Sequence, residues 1–165
     1  MRGLEDPFAQ DRQIGQMWVA LTKARGPVAV TTNKGIDILI ETSANEGRRV
    51  EYRAYLKDHT EIAWMYTGVV TRGRVMVTNA GVDRDASKGK SEYRRKGIGT
   101  AVYNLIESDI RAAGGKGLEP NWAGMSDDAM DFWKDRRPDL AEKIAKYGPD
   151  DSPRMPFDEW MEDKG

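Results

Sequence analysis

Three cations and two glycines stand together in the run Arg94-Arg95-Lys96-Gly97-Ile98-Gly99. The residues after it are apolar at helical spacing over 101–110, so the two glycines open a helix. The first turn of a helix has unpaired backbone N–H groups at the positive end of its dipole, and glycine lets a ligand approach the backbone closely. These properties favour a phosphate or pyrophosphate, although a glycine-containing loop with ordinary surface cations has the same pattern.

The same run resembles the Arg/Gln-x-x-Gly-x-Gly/Ala motif of the GNAT N-acetyltransferases, and the similarity extends over residues 92–111. In that family the backbone amides of this loop hold the pyrophosphate of acetyl-coenzyme A. The resemblance implies an N-acetyltransferase in which an amine attacks acetyl-coenzyme A directly. It also implies a cofactor-binding set consisting of Val82, at the end of the preceding strand, and Arg94, Arg95, Lys96, Gly97, Ile98, Gly99 and Thr100.

A second phosphate motif lies nearby, in Lys88-Gly-Lys-Ser91. It resembles the end of the phosphate loop of nucleoside triphosphatases, which requires a glycine five residues before Gly89. That position is Arg84, so a nucleotide-triphosphatase is disfavoured. On the acetyltransferase interpretation, Lys88 and Lys90 could instead contact the adenosine 3′-phosphate.

The catalytic groups are less well defined than the phosphate loop. The segment from Ser126 to Lys134 resembles a later GNAT segment in which a tyrosine protonates the departing thiolate, but Trp133 stands at that position. An indole N–H donates a hydrogen bond but cannot supply a proton near neutral pH. Ser126 could hold a water that does so, and Trp133 could equally belong to the core.

The attacking amine must lose a proton, and a carboxylate is the usual acceptor. Glu61, Asp83 and Glu119 are the candidates, because each stands at an end of a predicted strand. Glu119 is attractive because strand ends beside a switch point line ligand crevices. The resemblance implies that a backbone N–H of residues 79–82 stabilises the developing charge on the thioester carbonyl.

The elements that must position these groups follow from hydrophobic periodicity. The sequence predicts an α/β (α+β) fold, a mixed, mostly antiparallel twisted sheet with one parallel pair around the cofactor-binding helix, as in GNAT proteins. A bulge or kink is expected at Asn79-Ala-Gly81. The predicted strands are 28–32, 37–42, 49–56, 61–70, 75–82 and 116–120, and the predicted helices are 11–23, about 100–111, one starting after Ser126, and 139–147.

Composition limits the alternatives. The 165 residues carry 26 basic and 27 acidic side chains, which argues against nucleic-acid binding through bulk charge. There is no cysteine and one histidine, His59, which lies at a predicted hairpin turn, so we expect no metal site. We expect a cytoplasmic protein with no membrane partner, because no long apolar run or signal peptide is found. Its predicted parts are an arm, 1–10, a single acyltransferase-like domain, 11–147, and an acidic, proline-containing tail, 148–165.

The acceptor is an amine of unknown identity. Only residues 43–48 separate the strands between which GNAT proteins usually place two helices over the substrate. The missing cover favours a large acceptor, such as a protein or a nucleic-acid-borne amine. Two further hypotheses stay open, namely a module that binds acetyl-coenzyme A without turnover and a toxin-like or nucleic-acid-modifying transferase.

Overall fold

The computed structural model describes residues 8–45, 49–82, 97–122, 125 and 127–147. The chain divides into two compact units, Met1–Glu119 and Pro120–Gly165. The elements of the first unit are α1 (Ala9–Arg25), β1 (Val28–Thr31), β2 (Asp37–Asn45), β3 (Arg49–Tyr55), β4 (Glu61–Thr67), β5 (Arg74–Val82), α2 (Ile98–Ala112) and β6 (Gly117–Glu119). Those of the second are α3 (Asp127–Arg136), a 3-10 turn (Pro138–Leu140) and α4 (Ala141–Tyr147).

The six strands form one sheet in the order of the chain, from β1 at one edge to β6 at the other. The first five strands are antiparallel to their neighbours, and β6 pairs parallel to β5. A parallel pair needs a crossover connection, which here contains α2. The predicted α+β class and mixed sheet with a parallel last pair are therefore confirmed.

Helices α1 and α2 cover one face of this sheet. Alternate residues of the strands point toward them, as the burial of Ile38, Ile40, Val50, Tyr52 and Ala54 shows. The apolar stripe of α2 packs onto this face because its buried side chains recur at helical spacing. They are Ile98, Val102, Ile106 and Ile110.

A buried polar network joins the two helices to the middle of the sheet. The Trp18 Nε1–H donates to the Tyr52 hydroxyl at 2.9 Å, and that hydroxyl donates to Asp109 Oδ2 at 2.7 Å. Arg25, at the end of α1, forms an ion pair with Asp109 Oδ1. Asp109 is 3% exposed, so its charge is offset by these partners rather than by solvent.

The C-terminal unit has a small core of its own. Met130, Trp133 and Ile144 are buried on α3 and α4. Trp122 is also buried, and the Lys143 Nζ lies 4.3 Å from the centre of its ring. This cation–π contact fixes the start of the unit to α4.

Several predicted boundaries move. β2 continues to Asn45 through residues predicted as a turn, because Ser43, Ala44 and Asn45 pair with β3. Helix α1 begins at Ala9, inside the predicted arm, and α2 begins at Ile98, so Gly99 lies within its first turn. Predicted segment 139–147 is a 3-10 turn followed by α4.

The remaining parts of the predicted arm and the predicted tail, 148–165, lie outside the described residues, and the division into arm, single domain and tail stays a prediction. Within the part of the chain that the structure describes, no helix is both long enough and apolar enough to span a membrane.

Candidate functional site

Helix α2 begins with an uncapped first turn. Gly97 precedes it with a left-handed backbone, φ 81°, and within the described residues no side-chain cap is found for the N–H groups that follow. The first turn also contains no acidic residue. Its free donors and positive dipole end are therefore not satisfied by a side-chain cap, which is the electrostatic arrangement that suits an anion.

The two glycines of the motif have different surroundings. A Cβ at Gly97 would lie 2.1 Å from Asn33 Oδ1 and 3.4 Å from the Thr32 Cβ, so this glycine packs against the turn between β1 and β2. Outside its own helix turn, a Cβ at Gly99 would meet no atom of the described residues within 4 Å. Gly97 is thus required by the backbone and by packing, whereas no neighbouring described residue explains the glycine at Gly99.

Strands β5 and β6 pair over only three residues. Their last pair is Met76 with Glu119, after which β5 continues to Val82 beside β4. Among the described strands, none pairs with residues 77–82 on the side where β6 ends. This edge presents backbone groups that can hydrogen-bond to an extended ligand.

A β-bulge occurs just beyond that last parallel pair. Tyr66 pairs with Asn79 and Thr67 pairs with Val77, so Thr78 is the extra residue in β5. The Thr78 hydroxyl donates to the Tyr66 carbonyl at 3.1 Å. A bulge was predicted at residues 79–81, so the observed one lies one residue earlier. Bulges are frequent beside active sites because they redirect backbone groups.

Glu119 lies close to this bulge. It ends β6 and pairs with Met76, two residues before Thr78. Because Leu118 is fully buried, alternation places the half-buried Glu119 on the opposite face of the sheet, away from α1 and α2. The structure therefore brings one predicted carboxylate to the place where the parallel strands end.

The other predicted site residues are distributed differently. Val82 ends β5, about 13 Å from the bulge at the usual rise of a strand. Trp133 is 3% exposed in the C-terminal unit, with its ring edge-on to Phe132, which favours the interpretation as a core residue. Ile98 is buried and Thr100 is half-buried, both in the first turn of α2. Asp83, Arg94, Arg95, Lys96 and Ser126 lie outside the described residues, as do Lys88 and Lys90.

Glu61, the remaining candidate base, belongs to a cluster on the outer face of the sheet, which faces away from α1 and α2. The Arg53 Nη1 donates to Glu61 Oε1 at 2.8 Å, and its Nη2 donates to the Tyr66 hydroxyl at 3.0 Å. The hydrogen bond from Arg53 to Glu61 raises the pKa of Arg53 above its usual value. Glu61 is thus already engaged by a cation. Sequence reasoning missed Arg53 and Tyr66, because alternation gives the face of each residue but not the register that brings them to Glu61.

Trp64 also lies on this outer face, next to the bulge. It pairs with Gly81 of β5, and a Cβ at Gly81 would lie 2.1 Å from the Trp64 ring. The indole therefore lies directly across the backbone of Gly81. The sequence marked Gly81 as irregular but gave no sign of the ring that requires it.

Comparisons with known proteins identify no relative of this chain. No family model, curated protein or solved structure matches the chain. The chemistry therefore rests on local features of the described residues. These are the start of α2, which has no side-chain cap, the length of β5 beyond Met76, which has no described strand beside it on the side where β6 ends, and Glu119 near the bulge.

Proposed function

We propose that this protein is an N-acetyltransferase that transfers acetyl from acetyl-coenzyme A to an amine. The observation that carries the proposal is the end of pairing between β5 and β6. Their last pair is Met76 with Glu119, shortly before the bulge at Thr78. The resemblance of residues 92–111 to the GNAT loop supports it, and so does the uncapped start of α2.

The proposal assigns each part of the cofactor to one of these features. Its pyrophosphate is an anion for the first-turn N–H groups of α2 and for the cations that precede Gly97. Its pantetheine arm is an extended chain with two amides, which can hydrogen-bond to the free edge of β5 over residues 77–82. The acetyl thioester then reaches the region of the bulge, where a backbone N–H can stabilise the oxyanion.

Glu119 is the proposed general base. It takes a proton from the acceptor ammonium, directly or through water, and the neutral amine attacks the acetyl carbonyl. The C–S bond breaks as the tetrahedral intermediate collapses, and the nitrogen loses its remaining extra proton to water. Coenzyme A leaves as a thiolate, which takes up a proton. A water molecule is the proposed source of that proton.

The first test is calorimetric binding of acetyl-coenzyme A, coenzyme A and ATP. Wild-type protein should bind both coenzymes, and Gly99→Leu should bind them at least about tenfold more weakly, because its side chain enters the open space beside the first turn. Ser108→Leu is the matched control, since Ser108 is exposed on the same helix away from its start. No binding of either coenzyme by the wild type would overturn the proposal, and binding of ATP alone would favour a nucleotide site.

Release of free thiol with pooled amines then separates an enzyme from a coenzyme-binding module, the second candidate. The buried Trp133 at the position of the usual tyrosine is the observation that favours such a module. Glu119→Gln should lower the maximal rate by about a hundredfold or more while coenzyme binding stays unchanged. Coenzyme binding without thiol release from any amine would favour the module.

A further inference from the structure

A cavity of about 400 Å³ lies at the end of the sheet where β1 turns into β2. Its volume is within the range of small-molecule sites. Thr32 and Asn33, which contact Gly97, do not line it, and the proposed path of the coenzyme along β5 does not use it. Its lining includes Ala29, Thr31, Asp37, Leu39, Lys57 and His59.

The cavity has apolar walls and a charged rim. Ala29 pairs with Leu39 across β1 and β2, and Leu56 adds apolar surface from the end of β3. At the rim, the Lys57 Nζ lies 3.2 Å from Asp37 Oδ2. One positive and one negative group therefore stand side by side next to an apolar surface.

Asp37 is held in place by a second contact. The Thr31 hydroxyl donates to Asp37 Oδ1 at 2.6 Å, from the residue directly opposite on β1. This hydrogen bond, followed by the contact with Lys57, holds the pKa of Asp37 below its usual value. The carboxylate is thus ionised and oriented near neutral pH.

The ion pair at the rim is open to replacement. The Lys57 side chain is 83% exposed and that of Asp37 is 50% exposed. Exposed pairs of this kind contribute little net stability, so a ligand can take the place of either partner at small cost. A ligand that carries both charges can therefore replace this pair and contact both groups while the fold is unchanged.

His59 brings a strained backbone to the same cavity. Its φ is 69°, in the left-handed region that side chains other than glycine seldom adopt. Two backbone hydrogen bonds of 2.9 Å hold the turn. The His59 N–H donates to the Leu56 carbonyl, and the Leu56 N–H donates to the Thr60 carbonyl. Strained residues of this kind cluster at ligand sites.

We propose that this cavity binds a small zwitterion, an α-amino acid with an apolar side chain. Its ammonium pairs with Asp37, its carboxylate pairs with Lys57, and its side chain lies against Leu39 and Ala29. Neither a pure cation nor a pure anion matches this rim, because each would meet a like charge at one of the two groups. The proposal does not depend on coenzyme binding.

The test is a titration of the full-length protein with L-leucine, without coenzyme, followed by amide chemical shifts. We expect saturable shifts concentrated at residues 29–31, 37–39 and 56–59. N-acetyl-L-leucine lacks the ammonium and L-leucinamide lacks the carboxylate, so each should bind at least about tenfold more weakly. No saturable shift, or shifts located elsewhere, would overturn the proposal, and so would equal binding of all three compounds.

Two variants locate the charges. Asp37→Asn and Lys57→Gln should each weaken L-leucine at least about tenfold. Lys34→Gln is the control, because Lys34 is exposed in the adjacent turn and does not line the cavity. Well-dispersed amide spectra verify that the variants fold, and folded variants that bind L-leucine as tightly as the wild type contradict the assignment. Because no coenzyme is present, this result is independent of whether the chain transfers acetyl groups.

Discussion

The hydroxyl of Tyr52 donates a 2.7 Å hydrogen bond to the carboxylate of Asp109, joining the middle of the sheet to α2. Trp18 and Arg25 complete the network from α1. Buried charges of this kind are costly unless every partner is in place. The network therefore fixes both helices relative to the strands, and with them the position of the start of α2.

Removing the carboxylate should destabilise the fold strongly. Asp109→Ala leaves the Tyr52 hydroxyl and the Arg25 guanidinium without their partner, so we expect a loss of about 2–4 kcal/mol in the free energy of unfolding. Urea denaturation measures the loss. Ser108→Ala, at the exposed neighbouring position, should change stability by less than about 0.5 kcal/mol. Equal effects of the two substitutions would show that the network contributes nothing.

Alkaline pH should destabilise the protein through Tyr52. Burial, and then the negative charge of Asp109, raise the pKa of Tyr52 above its ordinary value. In the unfolded chain a tyrosine ionises near about pH 10, so the unfolded state loses this proton first. The stability that the folded protein gains from the raised pKa of Tyr52 is fully present below about pH 10 and declines as the pH rises further.

Urea denaturation between about pH 9 and pH 11 checks this dependence. Tyr52→Phe should be less stable than the wild type at neutral pH, because Trp18 and Asp109 lose their partner. Its stability should nevertheless fall less steeply with rising pH. A variant with the same slope as the wild type would contradict the assignment to Tyr52.

The two glycines of the motif should respond oppositely to alanine. Gly97→Ala places a side chain in the left-handed region and against Asn33, which should cost about 1–2 kcal/mol. Gly99→Ala meets open space in the first turn of a helix and should stabilise the protein by up to about 1 kcal/mol. Thermal unfolding of both variants measures the difference. Destabilisation by Gly99→Ala would show that this glycine has a structural role.

Trp64 and Gly81 should be energetically coupled. A methyl group at Gly81 would overlap the indole, so Gly81→Ala should cost about 1–3 kcal/mol. With Trp64→Ala already present, the same substitution should cost much less. A double-mutant cycle measures the coupling, and strictly additive effects would show that the ring does not restrict this position.

Local sequence predicts most elements but not the contacts between them. Periodicity located α2 and five hairpin-type strands, most clearly where one face is buried, as in the alternation from Val50 to Ala54. It misplaced the end of β2, since pairing of residues 43–45 with β3 overrides their turn propensity. The bulge at Thr78 was predicted one residue late, because its position depends on the register between β4 and β5.

The site was predictable to a similar extent. The glycines of residues 94–99 and the apolar periodicity after them identified the start of α2, because both are local properties of the sequence. Glu119 was chosen as a strand-end carboxylate, but its nearness to the bulge depends on the pairing of distant strands. Arg53 and Tyr66 were missed for the same reason, since only the assembled sheet brings them to Glu61.

The short β6 also has a consequence for how the protein folds. Strands β1–β5 pair with neighbours that are close in sequence, whereas β6 must bring Gly117 back to Arg74 across the whole α2 crossover. A contact between distant residues closes a large loop, and the chain loses conformational entropy before the contact forms. The three residue pairs of β5 and β6 offset little of this entropy cost. We expect β6 to join the sheet last and to open first in native-state hydrogen exchange. The position of Glu119 beside the bulge is then set in the final step of folding, on a hairpin sheet that is already formed.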